Sequence, residues 1–127
     1  MKGLLAAFLV LCILVLFFYL SEKKHDEPKL VINHNTKQIL FFSQESNFDD
    51  EASYYDAIIE LKKKFPKEIH NMLIISSKDA AKYYDRYHIE QSPAMVVVYQ
   101  NKVLFSVDGL IPKERIIEPV EQALTQK

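Results

Sequence analysis

The stretch Ser43-Gln44-Glu45-Ser46-Asn47-Phe48-Asp49-Asp50 follows an apolar run, Ile39–Phe42, and precedes a helical pattern. It sets hydroxyls beside carboxylates at a strand-to-helix junction. One chemistry open to it is nucleophilic: Ser46 attacks, provided that a base and an orienting group stand next to it. Asp49 lies three residues on, but no histidine is close in sequence, so His34 or His70 would have to arrive through the fold. The same residues also have the form of a helix cap. In Ser46-x-x-Asp49, Ser46 or Asn47 accepts from free N–H groups, while Asp49, Asp50 and Glu51 complement the positive end of the helix. A cap of this kind is worth about 1 kcal/mol and explains a polar, acidic loop without catalysis. For Phe48, inward packing and exposed contact both stay open.

Other chemistries are excluded more firmly. The chain has one cysteine, Cys12, within the apolar N-terminus. An intramolecular disulfide and a Cys-x-x-Cys redox or zinc site are therefore impossible. The four histidines, His25, His34, His70 and His88, show no ligand-like spacing, so no metal and no cofactor is expected. Glycine occurs only at Gly3 and Gly109, which removes a glycine-rich phosphate loop. A formal net charge of −1 gives no electrostatic reason to expect nucleic acid.

Gly3 to Leu20 is uncharged and free of proline. It is just long enough to cross a hydrocarbon core of about 30 Å as a helix. A cleaved signal peptide ends in small residues, whereas this run ends Phe17-Phe18-Tyr19-Leu20. Leu11 precedes Cys12 where bacterial lipoprotein signals carry a small residue, and apolar Ile13 to Leu20 would remain after cleavage there. The reading is an uncleaved single-pass anchor, residues 1–20, with Cys12 as a small apolar membrane residue. Lys2 on one side nearly balances Lys23, Lys24 and Lys29 on the other, so charge alone does not orient it.

Residues 21–29 read as a polar tether and residues 30–127 as one domain of ordinary size. Within it Leu30–Ile32 is a short candidate strand. Gln38–Ser43 is a strand buried on both faces, and a helix runs from about Asp50 to Phe65, stopped by Pro66. Met72–Ser76 is a strand, Asp79–Tyr87 a helix, and Ala94–Gln100 with Val103–Val107 a hairpin turning at Asn101-Lys102. A last helix runs from Pro112 to about Leu124, interrupted by Pro119. The tyrosines Tyr54, Tyr55, Tyr83, Tyr84 and Tyr87 are read as helix-face packing residues. The order β, β, α, β, α, β, β, α implies an α/β fold with a mixed sheet and helices on both faces.

The stretch Tyr87 to Gly109, YHIEQSPAMVVVYQNKVLFSVDG, resembles the second half of the thioredoxin-like superfamily: Tyr-x-Ile, Ser-Pro, an apolar strand, a polar turn, a second strand and a glycine. The resemblance extends over nearly all of Leu30 to Gln126. It implies a cis Ser92-Pro93 bond facing the family's redox loop, which maps onto the Ser43–Asp50 stretch. The favoured register puts Ser46 and Asp49 where the two cysteines would stand, with a slip of a residue or two possible. No register supplies a cysteine, and the family's buried acid would fall near Leu40. What the resemblance leaves is a binding groove at Ser46, Asn47, Phe48, Asp49, Ser92, Pro93 and Ala94, holding a partner protein or extended polypeptide. The rival expectations are an accessory subunit of a membrane or export complex, and a degenerate thiol–disulfide oxidoreductase. By analogy the domain faces outward from a bacterial cell membrane.

Overall fold

The computed structural model describes residues 2–21, 31–44 and 48–127. The chain divides into two units, residues 1–31 and 32–127. The first contains helix α1, Lys2–Ser21, whose side chains are exposed throughout. An unbroken apolar surface of this length suits a membrane span.

The second unit is built on a four-stranded sheet in the order β2-β1-β3-β4. Strand β1, Gln38–Ser43, is buried at every position, as its apolar sequence requires. It pairs in parallel with β2, Leu73–Ser76, and antiparallel with β3, Ala94–Tyr99. Strand β4, Lys102–Asp108, returns antiparallel on β3, with a register shift at Val97/Val98. The hairpin turns on Gln100 and Asn101, both at positive φ (49° and 63°). Two such residues give the mirror-image turn that matches strand twist. The turn therefore sits one residue earlier than Asn101-Lys102.

Helix α2, Ala52–Lys64, and helix α5, Glu114–Thr125, cover one face of the sheet. Their buried Tyr54, Ala57, Leu61, Ile116, Val120 and Ala123 meet Ile39, Phe41, Met95 and Val97. Helix α4, Ser77–Tyr87, covers the other face, where Phe42 lies 6.3–6.5 Å from the rings of Tyr83, Tyr84 and Tyr87. The alternation of β1 side chains between the two layers is the period-two pleat. Each fully buried aliphatic or aromatic side chain in these layers contributes about 1.5–3 kcal/mol.

Three sequence expectations change. No strand forms at Val31–Ile32; Val31 is 78% exposed, and Leu30 lies outside the described residues. Pro66 ends α2 but also opens a five-residue helix, α3 (Pro66–His70), because a proline at the first helical position loses no hydrogen bond. Pro119 is accommodated inside α5, where it removes one backbone bond but leaves the Ile116–Val120–Ala123 face intact.

Candidate functional site

The loop after β1 enters α2 through a 3-10 turn, Phe48–Glu51. Asp49 is exposed, and Phe48 is 66% exposed. Glu51 turns the opposite way and is fully buried. Its carboxylate accepts from Ser43 Oγ at 3.0 and 3.1 Å, from Tyr55 Oη at 2.6 Å, and from the Gln44 amide. A buried carboxylate is tolerated when several donors satisfy its oxygens. Glu51 thus fastens the end of β1, the loop and the first turn of α2 to one another. Sequence reasoning grouped it with Asp49 and Asp50 as a dipole-complementing acid and missed this. The available signal was the Glu51/Tyr55 pair at helical i, i+4 spacing.

The expected Ser46-x-x-Asp49 cap rests on a residue outside those described. Glu51 is the residue before α2, and its side chain makes no capping bond. Ser46 and Asn47 lie outside the described residues.

On the facing side, the Ser92-Pro93 bond is cis, as the resemblance implied. The Pro93 carbonyl accepts from the Gly109 amide at 2.8 Å and from Tyr54 Oη at 3.2 Å. Tyr54 Oη also lies 2.8 Å from the Gly109 carbonyl, so one hydroxyl on α2 ties the cis-proline segment to the end of β4. Burial, and then the charge of Asp108, push the Tyr54 phenol far above its usual range. Tyr84 Oη and Ser92 Oγ share a 2.8 Å bond, and the Glu90 amide donates to Asp108 at 2.6 Å. Gly109 has φ +78°, and a Cβ there would stand 2.5 Å from Gln91 Nε2. The left-handed backbone favours glycine here, and a Cβ would in addition displace the tip of the exposed Gln91 side chain.

Between these two sides lies an open groove. Gln44 and Asp50 line it from the loop after β1, Tyr84 from α4, residues 90–93 from the segment before β3, and Gly109-Leu110 from the end of β4. Of the residues expected to form the site, Ser92 and Pro93 are in this lining. Phe48 and Asp49 are on the adjoining exposed turn. Ala94 is fully buried in the ladder, opposite Phe42 and Asp108, so its side chain presents nothing to the groove. The described histidines, His34, His70 and His88, are exposed, and none lines it. Among the described residues no group of three or more His, Cys, Asp or Glu could hold a metal.

A sheet of this order, helices on both faces, and a cis proline opposite a strand-to-helix loop make a thioredoxin-like fold. Among solved structures the chain is similar to thioredoxin-2 of the malaria parasite, a component of its protein secretion machinery. The TM-score is 0.56 at 15% identity, covering 74% of this chain and 89% of that one. It is also similar to Fasciola hepatica thioredoxin, with a TM-score of 0.54 at 11% identity, covering 70% and 82%. At these identities the likeness shows the fold. The Cys-x-x-Cys motif of redox-active members is absent, because Cys12 is the only cysteine. No family model matches. The chain is 39% identical over 94 residues to the Pal-related lipoprotein of Bacillus subtilis, covering 73% of this chain and 72% of the relative, and it belongs to that protein's family.

Proposed function

We propose that this protein is a membrane-anchored, redox-inactive binding module whose groove beside Pro93 holds an extended polypeptide or a partner protein. Thiol–disulfide exchange requires a thiolate, and residues 30–127 contain none. The observation that carries the reading is the groove itself: Gln44, Asp50, Ser92 and Pro93 line one open cleft around the cis bond. In thioredoxin-like proteins the backbone beside that proline pairs with extended substrate. Strand β3 enters the ladder only at Ala94, which leaves residues 90–92 outside the sheet. Backbone pairing of this kind needs no cysteine.

Membrane association is supported by α1 and by the lipoprotein relative, and the uncleaved anchor by α1. On this reading residues 1–20 stay in the membrane, uncleaved, with the domain outside the cytoplasm. A reporter enzyme fused at Lys127 reads that orientation.

Photo-crosslinkers placed in the full-length chain at Phe48 and Gln91, with Lys102 at the far end of the β3–β4 hairpin as control, test the groove. Capture from the first two positions and not from Lys102 supports it. Equal capture from all three overturns it. The accessory-subunit reading puts the interaction in α1 instead, and replacing Gly3–Leu20 by an unrelated anchor separates the two: retained function favours the groove.

A further inference from the structure

The groove is chemically one-sided. Among the described residues the carboxylates Asp50 and Glu90 line it, and no lysine, arginine or histidine does. Asp49 is exposed on the adjoining turn, and Asp108 stands behind Glu90, accepting its amide. The chain as a whole carries 16 basic and 17 acidic side chains, so this concentration is local. The rest of the lining is uncharged and mixed: Gln44, Gln91 and Ser92 are polar, while Tyr84 and Leu110, the latter 73% exposed, add apolar surface beside the buried Pro93. Carboxylates around a cleft raise the local concentration of cations and steer their approach.

Resting on the binding reading above, we propose that the occupant of the groove is an extended polypeptide segment carrying lysine or arginine next to an apolar residue. The apolar side chain covers Leu110, and the cationic side chains reach Glu90 and the acidic turn. Backbone pairing beside the cis bond supplies affinity without regard to sequence, and the carboxylates supply the choice. Polypeptides rich in Asp or Glu are rejected by the same field.

The experiment uses the full-length chain in a nonionic detergent and three fluorescein-labelled dodecapeptides. These share one alternating Val/Ala framework and differ only in carrying four Lys, four Gln or four Glu. Fluorescence anisotropy is read at low and high salt. The expected result is binding of the Lys peptide about tenfold or more tighter than the Gln peptide, with the difference lost at high salt as the Debye length shortens to about 3 Å. Glu90→Gln is expected to weaken the Lys peptide about threefold and leave the Gln peptide unchanged, in line with one partly exposed charge pair. Equal binding of the Lys and Gln peptides overturns the charge selection and leaves the binding module standing. Binding of none of the three overturns both. Binding of the Lys peptide that is indifferent to Glu90→Gln and to Leu110→Asp places the contact elsewhere and also overturns the proposal.

Discussion

The hydroxyl of Tyr55 donates a 2.6 Å hydrogen bond to the carboxylate of Glu51, one helical turn before it. The same carboxylate holds Ser43 at the end of β1, so a single buried acid fixes the loop from two sides. Glu51→Ala leaves three donors without an acceptor and is expected to destabilise the domain by about 2–4 kcal/mol. Glu51→Gln keeps one acceptor oxygen but turns an amide N–H₂ toward donors, and is expected to cost about 1–3 kcal/mol. Urea denaturation midpoints of the full chain measure both. If the two variants denature at the wild-type midpoint, Glu51 does not fasten the loop.

Tyr54 joins α2 to Pro93 and Gly109 with one hydroxyl. Removing it in Tyr54→Phe deprives the Gly109 carbonyl of that donor, for an expected loss of about 1–2 kcal/mol in the same denaturation measurement.

The raised Tyr54 phenol also makes a pH prediction. Its stabilising contribution is fully present below the unfolded tyrosine value of 10.0. Above that pH the unfolded chain ionises while the folded phenol stays protonated, so stability is lost as pH rises. Burial raises Tyr87 in the same direction. Melting temperatures should therefore fall above pH 10, and fall less steeply in Tyr54→Phe than in the wild type. A parallel decline in the two proteins contradicts this.

Gly109→Ala combines a positive φ with a Cβ placed 2.5 Å from Gln91 Nε2. An expected cost of about 1–3 kcal/mol follows from the strained backbone and the displaced side chain. Adding Gln91→Ala relieves only the steric part, so partial recovery is the expected result. Full recovery would assign the whole effect to Gln91.

Phe48 and Leu110 are exposed beside the groove, at 66% and 73%. Phe48→Ser and Leu110→Ser are expected to leave stability within about 0.5 kcal/mol of wild type. A loss of peptide binding at unchanged melting temperature identifies them as contact residues. Loss of both together would make them packing residues instead.

The chain sequence determined the elements whose patterning agrees with their final environment. β1 is nearly all apolar and is buried on both faces. Tyr54 and Leu61, at helical spacing on α2, face the core, and the Ser92-Pro93 bond is cis as the thioredoxin-like resemblance implied. The missing chemistry was equally legible, because a cysteine that is absent from the sequence is absent from every fold of it. Tertiary structure decided what depends on direction and on neighbours. Asp49, Asp50 and Glu51 are alike in sequence, but only Glu51 faces Ser43, Gln44 and Tyr55, and no local propensity distinguishes an inward acid from an outward one. Val31–Ile32 has strand composition and yet remains outside the sheet, whose four strands are β2, β1, β3 and β4. Ala94 stands next to the proline in sequence and is buried, while Tyr84 and Leu110, distant in sequence, line the groove. Pairing and burial are properties of the whole sheet, and so the loop between β1 and α2 acquires its meaning only once both elements and the Pro93 segment are brought together.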